Sequence, residues 1–242
     1  MNENSSRLTK ILSLLASSQG SGIGGTPVCE VAAELTACTG ACIMLLSDDQ
    51  SKGSLCRTDE IAAFIEETQY TLGEGPSIEA YLTGRSVLVE NLRSLSAPHW
   101  PAFTPLALDH GIEAIFSFPI RIGAVRLGAM NVYRSTPGAL SIDQRSDALV
   151  LSDVAARTIV ALQAYAAPGM LPYEIESGAN FHFVVHQAAG ILSEQLGISV
   201  QDALVRIRAR AFTDNRPIDD VANDIVNHAL PHLDDMVDGN KD

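Results

Sequence analysis

Apolar residues recur along this chain with two periods, one typical of helices and one typical of strands. In segment 5–18 they stand three and four positions apart, which places them on one face of an amphipathic helix. Short apolar runs bounded by turn residues predict strands at 41–46, 87–89, 115–120 and 127–133. Residues 54–57 are predicted to form the hairpin partner of the first strand. Strands bracketed by helices in this order predict an α+β sheet domain.

A long helix is predicted to follow Ser141, because Ser141 and Gln144 have the spacing of a capping box. Its apolar stripe extends to about residue 165, and the prolines and glycine of 168–172 must break it. We therefore predict a first domain at 1–167 and a second domain at 173–232, separated by the break at 168–172. An acidic tail follows at 233–242.

The second domain shows three helical stripes. The first is expected to end at Gly197, and Ser199 is predicted to cap the second helix with Asp202 at its third position. The third helix is predicted over 218–230. About 50 residues bury little surface, so we expect this unit to pack against a partner or against the long helices.

The cysteines Cys29, Cys38, Cys42 and Cys56 all lie near the N-terminus. In a cytosolic chain they are expected to be small buried side chains rather than disulfides. Their spacing does not match a metal site, since no histidine lies near them in sequence. We expect no bound metal.

Composition indicates a folded protein, with 46% hydrophobic and 19% charged residues. The N-terminus lacks the basic start and apolar core of a secretory signal, and no apolar stretch reaches the ~18 residues of a membrane span. These observations predict a cytoplasmic protein that does not enter a membrane.

The net charge of −13 argues against a nucleic-acid partner for the chain as a whole. The segment 206–216 is an exception, because it holds four arginines and one aspartate. Such a local cluster is either a solvated helix face or a surface that meets phosphates, whose affinity would depend strongly on salt.

Several motifs, taken in order, resemble those of a GAF domain. They are Gln69-Tyr70-x-Leu72-Gly73-Glu74-Gly75-Pro76, His99-Trp100-Pro101-x-Phe103, Gly111-Ile112, Phe118-Pro119-Ile120 and Gly128-x-Met130-Asn131-x-Tyr133. The resemblance covers about residues 7–165 and implies an antiparallel sheet with flanking helices that senses an unidentified small molecule or a protein partner. Candidate pocket aromatics are Tyr70, Trp100, Phe103 and Phe116.

The last third resembles an ANTAR domain, the all-α three-helix module of bacterial regulators that bind RNA hairpins to prevent transcription termination. The resemblance rests on the motifs Val185-His186-Gln187-Ala188-Ala189-Gly190-Ile191-Leu192, Asp202-Ala203-Leu204, Asn215-Arg216-Pro217-Ile218 and Val221-Ala222. The order of the two domains is that of actinobacterial regulators. The resemblance implies that paired RNA stem-loops are bound by Arg208, Asn215 and Arg216, which fall on matching positions. Further candidate contacts are Arg206, Arg210, Gln187 and His182.

Two positions depart from the ANTAR pattern. The family's lysine is replaced by Ala189, and an arginine that usually precedes the glutamine is His182. Three functions therefore stay open: an antitermination regulator, a signalling module whose ANTAR fold no longer binds RNA, and a thiol-based GAF methionine sulfoxide reductase. Ser77 stands where relatives often carry a cysteine, so we expect no enzymatic activity.

We expect a homodimer, since each protomer of an ANTAR protein would engage one stem-loop. The interface is predicted to be a bundle of the N-terminal helix and the long helix after Ser141. Its apolar residues are Leu8, Ile11, Leu12, Leu15, Leu151, Val154 and Thr158. No cofactor is expected beyond the GAF ligand.

Overall fold

A computed structural model of the chain describes residues 3–18, 27–47, 50–95, 99–165, 183–214 and 216–227. Within these ranges the chain divides into two compact units, a mixed α+β unit followed by a unit of three helices. None of the described helices combines the length and the apolar character that a bilayer crossing needs. The expected fold class, an α+β domain followed by an all-α domain, is confirmed.

The first unit consists of a sheet and helices. The described helices are α1 (Glu3–Ser17), α2 (Val28–Thr36), α3 (Glu60–Leu72), α4 (Pro76–Thr83), α5 (Phe103–Asp109) and α6 (Ile142–Tyr165), with a short 3-10 turn at Leu92–Ser94. The strands are β1 (Gly40–Ser47), β2 (Gln50–Arg57), β3 (Val87–Val89), β4 (Ala114–Ile122) and β5 (Val125–Arg134). They form one antiparallel sheet in the order β2-β1-β5-β4-β3.

The main hydrophobic core lies between one face of this sheet and helices α1, α2 and α6. Because side chains alternate along a strand, β4 sends Phe116, Phe118 and Ile120 to this face, and β5 sends Met130 and Val132. All five are almost completely buried. Ser117 and Asn131, between them in sequence, therefore point to the opposite face.

Several helix ends coincide with local signals in the amino-acid pattern. Ser141 and Gln144 form the reciprocal capping box: the Gln144 amide donates to Ser141 Oγ at 3.1 Å, and the Ser141 amide donates to Gln144 Oε1 at 2.8 Å. The structure differs from prediction at β2, which is longer than 54–57.

The expectation that the cysteines are unbonded is wrong for two of them. Cys29 on α2 and Cys56 on β2 form a disulfide, with their Cα atoms 5.9 Å apart. Both are only 1% exposed. The two residues are 27 positions apart in sequence, and they meet because α2 packs across the sheet that contains β2. Cys38 and Cys42 are free thiols.

The residues predicted to form a dimer interface have different environments. Ile11 and Leu151 are fully buried inside their own domain, so they pack in its core and are not available to a second copy. Leu15, Val154 and Thr158 are partly buried. Leu8 and Leu12 are 39% and 50% exposed.

The second unit consists of α7 (Phe183–Leu196), α8 (Val200–Thr213) and α9 (Ile218–Val226). Ser199 caps α8 as predicted, its Oγ accepting from the Asp202 amide at 3.0 Å. The core is formed by alanines and branched residues: Val185, Ala188, Leu192, Ala203, Leu204, Ile207, Ala211, Val221, Ala222 and Ile225. Residues 228–230, the end predicted for the third helix, lie outside the described ranges, as do the boundary at 168–172 and the acidic tail.

Candidate functional site

Helix α8 presents arginines along both borders of its exposed face. Arg206, Arg208 and Arg210 are each partly exposed, as expected for side chains beside the buried stripe. With 3.6 residues per turn, Arg206 and Arg210 project from one border, whereas Arg208 projects from the other. The three cations therefore do not form a single row.

Two of the predicted RNA-binding arginines form ion pairs inside this unit. Arg210 Nε lies 2.6 Å from Asp214 Oδ2, and Arg216 Nη1 lies 2.8 Å from Asp224 Oδ2. Asp224 lies on α9, outside segment 206–216, so the charge count of that segment does not include it. Both pairs are partly exposed, and such pairs contribute little net free energy in water.

The predicted contacts on α7 and around the second turn are only partly described. Gln187 is exposed on α7, whereas His182 and Asn215 lie outside the described residues. Ala189 is fully buried, so its side chain belongs to the packing of the three helices. Gly190 is exposed, and a Cβ added there would meet no atom within 4 Å. A larger side chain at this position would therefore not clash with a neighbouring helix.

An apolar strip that the sequence motifs did not indicate lies between the two arginine borders. Val205 and Phe212 are 60% and 57% exposed, and Ala209 between them is also exposed. These residues stand four and three positions apart, so they share one helix face. The spacing of these three residues could have revealed the strip from the sequence, because it places them on the face of α8 opposite its buried stripe.

The candidate pocket aromatics of the first unit do not share one environment. Phe116 lies in the core beneath α1, α2 and α6. It therefore cannot line a pocket on the opposite face of the sheet. Trp100 and Phe103 are buried and meet edge to face, with ring centroids 6.2 Å apart. Tyr70 is buried on α3.

The Gly73–Pro76 segment is a structural turn. Gly73 and Gly75 have φ values of +67° and +127°, which glycine adopts without steric cost. Glu74 accepts hydrogen bonds from the amides of Ala102 and Phe103 at 2.8 and 2.9 Å. This carboxylate therefore satisfies the otherwise unpaired amides at the start of α5.

A row of polar side chains crosses the sheet on the face opposite the main core. Cys42, Asn131 and Ser117 are register partners on β1, β5 and β4, and none of them is exposed. Asn131 Nδ2 donates to Ser77 Oγ of α4 at 2.5 Å. Within the described residues, Asn131 Oδ1 and Ser117 Oγ are buried without a hydrogen-bond partner. Unpaired buried oxygens are costly, and they would suit a ligand that donates hydrogen bonds.

Glu66 on α3 lies on the same side of the sheet. Its Oε1 accepts from Ser54 Oγ of β2 at 2.9 Å, and the side chain is only 8% exposed. Loss of hydration disfavours the carboxylate and raises the pKa of Glu66 to about 8. At neutral pH this group is predominantly a neutral acid. Its helical spacing from the buried residues Ala62, Ile65 and Gln69 could have indicated from the sequence that the carboxyl is buried.

The free thiol of Cys42 and the arrangement of the acidic side chains decide whether the site could act as a thiol catalyst or hold a metal ion. Burial raises the pKa of the Cys42 thiol well above its usual value, and the ionised form of Glu66 raises it further. The reactive thiolate is therefore disfavoured. No set of three or more His, Cys, Asp or Glu side chains is placed to hold a metal ion, as far as the described part of the chain extends.

Comparison of the chain with known proteins gives two family matches and several structural likenesses. A GAF domain matches residues 26–160 and an ANTAR domain matches residues 181–226. No curated protein matches the sequence.

Three solved structures illustrate the structural likeness. A GAF domain from an Acinetobacter phosphoenolpyruvate-protein phosphotransferase is 15% identical, with a TM-score of 0.48 over 69% of this chain and 98% of that one. The corresponding GAF domain from Coxiella burnetii is 12% identical, with a TM-score of 0.47 over 66% and 95%. Free methionine-R-sulfoxide reductase from Neisseria meningitidis is 12% identical, with a TM-score of 0.46 over 69% and 95%.

The GAF match spans more than half of the chain, and the ANTAR match falls on the three-helix unit. The five-stranded antiparallel sheet with its flanking helices agrees with the first match, and the unit of α7, α8 and α9 agrees with the second. The chain therefore belongs to the GAF domain family and carries an ANTAR domain after its GAF domain.

Proposed function

We propose that this protein is a transcription antitermination regulator, in which a signal at the GAF domain controls the binding of paired RNA hairpins by the ANTAR domain. The two domains identify a regulator with a sensory module and an RNA-binding module. The observation that carries the proposal is the set of partly exposed arginines on α8, in a domain whose family binds RNA. Catalysis is not part of the proposal, because Cys42 is a poor nucleophile where it lies.

The net charge of −13 lowers the affinity of the chain for RNA but does not exclude this function. Association with RNA depends on the cations that meet phosphates and release counterions, whereas distant acidic groups are screened beyond about 10 Å at ordinary salt. Arg206 and Arg210 at one border of α8, and Arg208 at the other, can contact two segments of a backbone. Arginine suits this role because its planar guanidinium binds phosphate through paired hydrogen bonds.

Replacing Arg208 by alanine is expected to weaken hairpin binding about tenfold at moderate salt. The salt slope, which is the steepness with which the logarithm of affinity falls with the logarithm of salt concentration, should decrease by about one, as for one lost phosphate contact. The measurement is the affinity of the purified protein for a tandem-hairpin RNA at two salt concentrations. Arg216→Ala should also weaken binding. Arg121→Ala is the matched control, because it removes one exposed cation from β4 of the GAF domain. Equal affinities for wild type, Arg208→Ala and Arg216→Ala would contradict the proposal.

The runner-up is a signalling module whose ANTAR fold has lost RNA binding. The ion pairs Arg210–Asp214 and Arg216–Asp224 favour it, since each partly neutralises a cation that RNA would need. A folded protein that binds no hairpin pair at either salt concentration would establish this alternative.

We further propose a homodimer that uses the outer face of α1 and α6. Arg7 joins these helices through ion pairs with Asp143 and Asp147, so the two form a continuous surface. Its apolar residues Leu8, Leu12, Leu149 and Val160 are 39–51% exposed. Two protomers would then present two ANTAR domains to a pair of hairpins.

Leu12→Glu is expected to convert the dimer to a monomer at micromolar concentration, because a charge would have to be buried in an apolar contact. Sedimentation velocity measures the change. Leu82→Glu is the control, since Leu82 is 56% exposed on α4, away from this face. A wild-type protein that is monomeric at micromolar concentration would contradict the dimer, and an unaffected Leu12→Glu dimer would place the interface elsewhere.

A further inference from the structure

Phe212 presents an aromatic ring to solvent on the arginine-bearing helix. It is 57% exposed, whereas Phe103, Phe116 and Phe118 of the GAF domain are at most 1% exposed. The ring is not needed for the ANTAR core, because Ala203, Leu204, Ile207 and Ala211 form the buried stripe of α8. The position thus holds an aromatic residue outside the buried stripe of α8.

The surroundings of Phe212 combine apolar surface with positive charge. Arg208 precedes it by one turn, and side chains four positions apart on a helix are neighbours. Val205 and Ala209 extend the apolar strip toward the start of α8. Arg210, which is paired with Asp214, stands at its opposite border. A flat apolar surface bordered by guanidinium groups is complementary to a nucleotide, which has a flat base and a charged phosphate.

An RNA loop fits this surface better than a protein does. Loops expose unpaired bases that stack on aromatic rings, while phosphates bind arginine. A strip formed by Val205, Ala209 and Phe212 is too small for a stable protein interface, which buries about 800 Å² on each partner. The short strip and its cations match one or two stacked bases.

We propose that Phe212 is a stacking platform for an unpaired base of the RNA loop, with Arg208 holding the adjacent phosphate. This inference rests on the RNA-binding function proposed above and deepens it, because it assigns loop recognition to the exposed strip of α8. Stems would then contribute phosphate contacts, and the loop would contribute the stacked base.

The test uses the full chain and an RNA chosen from a pool of tandem hairpins with randomised loops for binding to the wild type. Phe212→Ala is expected to weaken binding of the selected RNA about tenfold, as for the loss of one base–aromatic stack. Phe212→Tyr should retain affinity within about twofold, because it keeps the ring. The salt slope should stay unchanged, since no charge is lost.

Two matched controls separate stacking from a general defect. Phe183→Ala removes a second exposed phenylalanine of the same domain, 78% exposed at the start of α7, and should leave affinity unchanged. A single abasic nucleotide at the stacked loop position should weaken wild-type binding by the same factor as Phe212→Ala. Combining the two should cause no further loss, because both remove one contact.

The outcomes distinguish this inference from the function on which it rests. If no RNA is selected by a folded wild-type protein, RNA binding itself fails, and the strip has another occupant. If RNA is selected and Phe212→Ala binds it as tightly as the wild type, RNA binding stands and the stacking role is overturned. The same conclusion follows if Phe212→Ala weakens binding to fully abasic loops as much as to intact ones.

Discussion

Removing the Cys29–Cys56 disulfide is expected to lower the free energy of unfolding of the GAF domain by about 3–4 kcal/mol. The bond closes a loop with a sequence separation of 27 residues, and a cross-link of that length restricts the unfolded chain by about this amount. For a domain of this size such a loss lowers Tm by roughly 10 °C. Both cysteines are buried, so the native state is expected to resist reduction until it opens.

The measurement is chemical denaturation with and without a thiol reductant, followed by the fluorescence of Trp100. This residue is the single tryptophan of the chain and is buried in the GAF domain, so its signal reports on that domain. Cys29→Ala/Cys56→Ala should match the reduced wild type, and Cys38→Ser, which removes a free and partly exposed thiol, should match the oxidised one. Identical midpoints with and without reductant would contradict the prediction.

Features with a local cause could be predicted from the sequence. The Ser141–Gln144 box and the Ser199 cap depend on residues three positions apart, and such signals can be recognised without knowledge of the fold. The strands could be recognised in the same way, because their apolar runs are contiguous. Their bounds were less accurate at β2, whose first residues are polar.

Features that depend on tertiary placement could not be predicted. The alternation of β4 shows that Phe116 and Ser117 point to opposite faces, but not which face is covered by α6. The pairing of Cys29 with Cys56 depends on how α2 crosses the sheet. Similarly, the sequence does not reveal that Asp224 pairs with Arg216, because the contact joins α9 to the turn before it.

Substituting Glu66 by glutamine is expected to remove most of the pH dependence of GAF domain stability between pH 5 and pH 8. The raised pKa of Glu66, about 8 against an ordinary value of 4.5, means that the native state keeps a proton that the unfolded state has released. Between these two values the native state binds more protons, so stability falls as the pH rises. Below pH 4.5 both states are protonated, and above pH 8 both are ionised.

The size of the effect follows from the same relation. One extra native proton gives a slope of up to about 1.4 kcal/mol per pH unit. Wild type should therefore lose about 2–3 kcal/mol relative to Glu66→Gln between pH 5.5 and pH 7.5. Glutamine keeps an acceptor oxygen for Ser54 and cannot ionise, so any cost of its amide group is independent of pH and does not affect the comparison.

Denaturation followed by Trp100 fluorescence at several pH values measures this difference, and Glu67→Gln is the control. Glu67 is the next residue of α3 and is partly exposed, so its substitution removes the same charge without removing the buried acid. A pH dependence in Glu66→Gln equal to that of the wild type would show that the carboxyl ionises normally in the folded state. A flat profile in Glu66→Gln, with the slope retained in Glu67→Gln, would assign the pH response to the acid that bonds Ser54 on the face of the sheet opposite the main core.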